Sequence, residues 1–320
     1  MRAALLAPAL AAFLLAPGAA RVARAGGAGS LALYEAGAWR TFWHADHAPQ
    51  RWSAADSVVT RALEWKPIAR GLEWASLRVA CGAPAWRARL IVVRIDPRVL
   101  RLSLVMDLDR ERHSPAWTIE RAPDDALLAV NAGQFGTALP WGWVVVDGVE
   151  KLSPGHAPLA SAIAIEGEGR VRWVHGDTLA STDRVESAFQ SYPTLLAGDG
   201  TVPAALRGGA GVSLSHRDAR LALGGTRDGR LLIVMSRFDA AGEIADFVPL
   251  GPTTPEMAAI MGALGACDAV MLDGGISAQM MLRDPARKAP LAWHGMRKVP
   301  LALIARARAP APGAAAPAAR

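Results

Sequence analysis

Short apolar runs bounded by turn residues, rather than amphipathic helical repeats, fill most of this 320-residue chain. Arg89-Leu-Ile-Val-Val-Arg-Ile95 and Leu102-Ser-Leu-Val-Met106 are β-branched or alternating runs divided by Asp96-Pro97, which predicts strands linked through a turn. Asp124-Asp-Ala-Leu-Leu-Ala-Val130 predicts another buried strand, ending in Asn131-Ala-Gly133. Glycine punctuation predicts hairpins after Trp143–Val146 at Asp147-Gly148, between Ser161–Ile165 and Arg170–Val174, and between Arg220–Leu223 and Arg230–Met235. Ala269-Val-Met-Leu272 reads as a buried strand that delivers Asp273 to Gly274-Gly275. The clearest helical period is Met257, Ile260, Met261 and Leu264. It follows Thr253-Thr-Pro-Glu256, which has a hydroxyl cap, an early proline and an acidic first turn. This tally predicts an α+β protein: a single domain with a large mixed, mainly antiparallel β-sheet and a few helices.

Residues 26–71 are tryptophan-rich and irregular and read as an N-terminal extension, with Trp39, Trp43, Trp52 and Trp65 packed on a core. Residues 72–306 hold the domain, and the Ala/Pro/Arg stretch 307–320 reads as a disordered tail. At the N-terminus, Arg2 and the apolar run Ala3–Ala16 lead to Ala23-Arg24-Ala25, the form of a signal peptide cleaved after Ala25. That predicts a periplasmic or secreted protein with no membrane span once the signal is removed. In an oxidising compartment Cys81 and Cys267 either pair or remain buried thiols.

Hydrophobic residues make up 52% of the chain and charged ones 20%, enough for a sizeable core and too apolar for disorder. The net charge of +6 comes from scattered arginine without a basic run or an aromatic-interleaved basic strip. The pattern argues against nucleic acid as a partner and suits an anionic substrate. No cofactor motif is evident: Gly208-Gly-Ala-Gly211 lacks dinucleotide spacing, and no Cys/His cluster has zinc spacing. The lone carboxylate of Asp273 is compatible with a divalent cation. The sequence sets no oligomeric state.

Three predicted strand boundaries carry similar chemistry: Asn131 before Ala132-Gly133, Arg220 before Leu221, and Asp273 before Gly274-Gly275. Brought together, they offer an amide, a guanidinium, a carboxylate and close-approach glycine backbone, a set that holds a phosphate or sugar hydroxyls and moves a proton. Taken singly, Asn131 caps its own turn, Arg220 is an edge charge and Asp273 opens a type I′ turn. His216 and Asp218 read as a solvated loop, and Asp147 and Asp199 as turn residues.

In this order, Asn131-Ala-Gly-Gln-Phe135, Gly142-Trp-Val-Val-Val-Asp-Gly148, Tyr192-Pro-Thr-Leu-Leu196, Arg220-Leu-Ala-Leu-Gly224 and Leu272-Asp-Gly-Gly-Ile-Ser277 resemble the phosphodiester glycosidase family, the family of the mannose-6-phosphate uncovering enzyme. The resemblance spans roughly residues 72–305 and implies Asp273, Arg220 and Asn131 as catalytic residues. It implies Gly133, Gly274, Gly275 and Ser277 as substrate-binding. Where the family has a third glycine and a second serine, this chain has Ile276 and Ala278, and Gln134 also departs from the pattern. The implied activity is hydrolysis of a sugar-1-phosphodiester or related envelope glycan. One carboxylate beside an arginine fits that bond, because a phosphate leaving group needs little protonation whereas an ordinary glycoside needs a second carboxyl as acid. The rival reading is an exported glycan-binding protein that keeps the fold without turnover.

Overall fold

The computed structural model of the chain describes residues 29–82, 87–176, 185–239 and 250–308. The expected signal peptide and nearly all of the expected tail lie outside the described residues. Every pairing between described strands is antiparallel. The strands divide into a nine-stranded sheet, two five-stranded sheets and a two-stranded pair.

The large sheet runs in the order Thr194–Leu196, Ala266–Leu272, Leu221–Thr226, Leu231–Phe238, Arg87–Ile95, Leu72–Cys81, Ser30–Glu35 and Ala38–His44, with Lys66–Ala69 also paired to Leu72–Cys81. The stretch expected to be an irregular extension thus supplies three strands. Its outermost strand, Ala38–His44, buries only Trp43, so its residues show too little apolar alternation to read as a strand. The second sheet is built on Ser161–Ile165, flanked by Val171–His175 and Ser187–Ser191. The third centres on Leu128–Asn131, between Met280–Leu282 and Leu301–Ala307. Ala307, expected to begin the tail, is the last residue of a strand.

Asp96-Pro97 is indeed a turn, yet the strands it separates, Arg87–Ile95 and Leu100–Met106, lie in different sheets. Their side chains explain why. Ile91, Val93 and Ile95 join Leu102, Leu104, Val130, Val144, Ile163 and Phe189 in one core that fills the space between all three sheets. Leu90 and Val92, facing the other way, join Val234, Met257, Met261 and Met271 in a second core under the helix Thr254–Ala263. Burial on both faces is why these strands read as continuous apolar runs.

The helix starts as its sequence dictates. Thr253 caps Glu256 N–H, Glu256 returns a bond to Thr253 N–H, and Pro255 sits in the first turn. Trp52 closes against Gly262, where a Cβ would come within 2.2 Å of the indole. Cys81 and Cys267 are both free and buried, and burial pushes both thiols upward. No helix among the described residues is long and apolar enough to cross a membrane.

Candidate active site

The strand Ala266–Leu272 is buried along nearly its whole length and pairs in register with Leu221–Thr226, Leu272 opposite Leu221. That register releases Asp273 and Arg220 from the sheet side by side. The third sheet then secures Asp273: its N–H donates to Gly133 O at 2.8 Å, and its carbonyl accepts from Asn131 Nδ2 at 2.8 Å. Beyond it, Gly275 N–H donates to Ala219 O at 2.7 Å, and a Cβ on Gly274 would come within 2.5 Å of the same oxygen. Asn131, Arg220 and Asp273, distant in the chain, therefore meet where the large sheet abuts the third.

Their individual geometry redistributes the expected tasks. Asn131 is 1% exposed, and its Oδ1 accepts from Gln279 N–H at 2.9 Å while its Nδ2 holds Asp273. It acts on the backbone of Asp273. Gly133 is buried and serves through its carbonyl, and Ser277, 2% exposed, lies beneath the turn where it tempers the Asp273 carboxyl. Gly274 and Gly275 let two backbone segments approach each other, and the Gly275 amide is engaged by Ala219. Arg220 donates from Nε to Pro252 O at 3.0 Å and from Nη2 to His216 O at 2.6 Å. Those two carbonyls fix the plane of a guanidinium that has five N–H groups to offer. Burial pulls Arg220 below its ordinary range, and the nearby Asp218 and Glu256 charges push it back up.

Burial holds the Asp273 carboxyl above the usual carboxylate range; Ser277 and Arg297 pull it down, and the Asp218 charge adds to the upward push. Asp273 Oδ2 is buried with no hydrogen-bond partner among the described residues, as is Asp218 Oδ1. Asp218, read from sequence as a solvated loop residue, is 26% exposed at its side chain, and burial raises it too, against Arg220, the Ala219 N–H and His216. The expected turn residues behave as such. Asp147 has φ 50° in the hairpin between Val144–Val146 and Val149–Leu152, and Asp199 pairs with Arg51 at 2.8 Å.

Sequence reasoning missed three members of this neighbourhood. Arg297 stacks its guanidinium 4.3 Å from the Phe135 ring centroid and contributes positive charge toward Asp273. Gln279 bonds Arg297 O at 3.1 Å and Ile119 N–H at 3.0 Å, tying that loop to Asn131. Asp218 is the third. The glutamine lies four residues past the Gly-Gly turn, just beyond the Leu272–Ser277 motif. Ile276, in place of a third glycine, is 45% exposed and points away from this packing.

A second polar cluster has the residue types of a hydrolytic triad. Ser161 Oγ lies 2.7 Å from His175 Nδ1, and His175 Nε2 lies 2.7 Å from Asp268 Oδ1. Ser161 is fully buried, and its Oγ is 2.6 Å from Thr194 Oγ1, so it presents no nucleophile. Among the described residues no group of three or more His, Cys, Asp or Glu is placed to hold a metal ion.

Comparison with known proteins places this geometry. The fold is similar to the catalytic domain of zebrafish N-acetylglucosamine-1-phosphodiester alpha-N-acetylglucosaminidase, auto-inhibited by its pro-peptide, with a TM-score of 0.58 and 17% identity over 80% of this chain and 87% of that one. It is also similar to a hypothetical protein from Synechocystis, with a TM-score of 0.53 and 17% identity over 88% of this chain and 68% of the other. At that identity the likeness shows the fold alone. No curated protein sequence matches. The family model for phosphodiester glycosidases matches residues 124–306, which include Asn131, Asp218, Arg220, Asp273 and Arg297. With more than half of its length matched, the chain belongs to the phosphodiester glycosidase family.

Proposed function

We propose that this protein is an exported hydrolase that cleaves the glycosidic bond of a sugar-1-phosphodiester or a related envelope glycan. The observation that carries the reading is that the strand register brings Asp273, with its buried carboxyl, and Arg220 to one sheet end, where the Asp218 carboxyl faces both of them, inside the span matched by the family. Water adds to the anomeric carbon, the bond from that carbon to the phosphate oxygen breaks, and its electron pair leaves on the phosphate. The products are a free sugar, a phosphomonoester and one proton.

Arg220 neutralises the phosphate with the N–H groups not turned to Pro252 and His216. Arg297 adds a second positive charge nearby. Asp273 acts at the anomeric carbon, as nucleophile or as base toward water, and its dry setting strengthens every charge interaction in which it takes part. Asn131, Gly133 and Ser277 hold Asp273 rather than the sugar, each through the contact described above. The apolar run Ala3–Ala16 and Ala23-Arg24-Ala25 support export to the periplasm or medium.

The test is a panel of methyl and aryl phosphodiesters of hexose 1-phosphates and N-acetylhexosamine 1-phosphates, with release of phosphomonoester followed by ³¹P NMR. Turnover of at least one member, lost in Asp273→Ala and clearly lowered in Arg220→Ala, is the expected result. Tight binding of panel members without release would instead make the protein a non-catalytic glycan-binding member of the family.

A further inference from the structure

Gly275 adopts φ 55°, and a Cβ built on it would lie 3.1 Å from Asp218 Oδ2 and 3.2 Å from Asp218 Oδ1. The hollow that the Gly-Gly turn leaves open is therefore filled by a carboxyl of the chain itself. The neighbouring bond from Gly275 N–H to Ala219 O clamps the Asp218-Ala219-Arg220 segment over the turn. One oxygen of that carboxyl, Oδ1, is buried without a donor among the described residues. An unpaired buried acceptor is costly and calls for a reason. The other oxygen faces His216, Nε2 to Oδ2 at 3.8 Å, and the His216 side chain is 64% exposed.

We infer that Asp218 is the catalytic base of this site, taking the proton of the attacking water, while Asp273 faces the anomeric carbon. The assignment rests on the hydrolase reading above. As the water oxygen bonds to the anomeric carbon, the bond from that carbon to its leaving oxygen breaks and the pair stays on that oxygen. The water proton passes to the Asp218 carboxylate and then, through His216, to solvent. The charged and polar groups facing Asp218 are Arg220, His216 and the Ala219 N–H, and those facing Asp273 are Ser277, Arg297 and Asp218. Burial holds both carboxyls above their ordinary range, and the Asp218 charge pushes Asp273 up further, so the ionisation of Asp218 is felt at Asp273. Asp218 is the member with an exposed proton relay beside it.

Asp218→Asn and Asp218→Ala test this on the best phosphodiester of the panel. Loss of a positioned base is expected to lower kcat by about 10²–10⁴-fold, with KM little changed. Sodium azide, which needs no base, is expected to restore turnover of Asp218→Ala and to yield the glycosyl azide. A folded Asp218→Asn protein within about threefold of wild-type kcat would overturn the assignment, as would failure of azide to rescue. A second readout does not depend on turnover. The ¹³C carboxyl titration of Asp273 is expected to move to lower pH in Asp218→Asn, and an unmoved midpoint would contradict the coupled pair. Should wild-type protein hydrolyse no panel member, the hydrolase reading fails by itself, and the titration still decides whether the two carboxyls act together.

Discussion

Asp268 and Asp273 stand near the start and just past the end of the same strand, Ala266–Leu272, and the chain treats them in opposite ways. Asp268 Oδ1 receives His175 Nε2 at 2.7 Å and the Gly198 N–H at 2.7 Å, and the series continues through Ser161 and Thr194 to Leu159 O. These bonds tie the second sheet to the large one. Asp273, with one oxygen orphaned and a like charge nearby, has an environment that disfavours its ionised form. A strand that stabilises the fold at one end and carries strain at the other marks the second end as the working one, since stability alone would not select it.

Among variants that leave both carboxyls of the site in place, Arg220→Ala should have the largest effect on turnover. A charge-assisted bond is worth about 1.5–3 kcal/mol, so kcat/KM on the best panel substrate should fall by about 10–100-fold. The thermal midpoint should change little, because only two backbone carbonyls lose a donor. Asp268→Ala should do the reverse. It leaves the Gly198 N–H and His175 without their acceptor, which costs about 1–3 kcal/mol and lowers Tm by about 2–4 °C per kcal/mol, with kcat near the wild-type value. Calorimetry and the ³¹P assay on the same two proteins would separate the ends of the strand. An Asp268→Ala protein of unchanged Tm would erase the contrast.

Gly275→Ala comes next. Its Cβ would crowd the Asp218 carboxyl at 3.1 Å in a left-handed conformation, a strain of about 1–2 kcal/mol, and turnover should fall as Asp218 is displaced. The smallest effect concerns pH. Because the folded-state carboxyl of Asp273 lies above its ordinary value, the native protein binds the extra proton, and stability falls as pH rises through the window between ordinary and raised values. The same sign holds for Asp218. Denaturation of wild-type and Asp273→Asn protein from pH 4 to pH 8 should show a shallower decline in the variant, and parallel curves would contradict the desolvated carboxyl.

Much of this was legible in the sequence. Burial on both faces wrote the central strands as unbroken apolar runs, and Thr253-Thr-Pro-Glu256 announced its helix. Asn131, Arg220 and Asp273 stood out because each adjoins such a run. Asp218 did not: Ser215-His-Arg-Asp-Ala-Arg220 is polar but for Ala219, and its carboxyl packs against Gly275, which no local pattern links to it. Arg297 was hidden in the same way, its partner ring at Phe135 lying far off in the chain. The N-terminal strands escaped notice because Ala38–His44 is an edge strand with most of its side chains in solvent.

The most direct test measures turnover and thermal midpoint together on one preparation of Asp273→Asn. Relief of a desolvated charge with loss of the reacting carboxyl predicts a Tm at pH 7 at or above wild type and a kcat reduced by about 10²–10⁴-fold. Wild-type turnover in a folded Asp273→Asn protein, or a lowered Tm with turnover intact, would make Asp273 an ordinary structural residue and remove the site from this end of the strand.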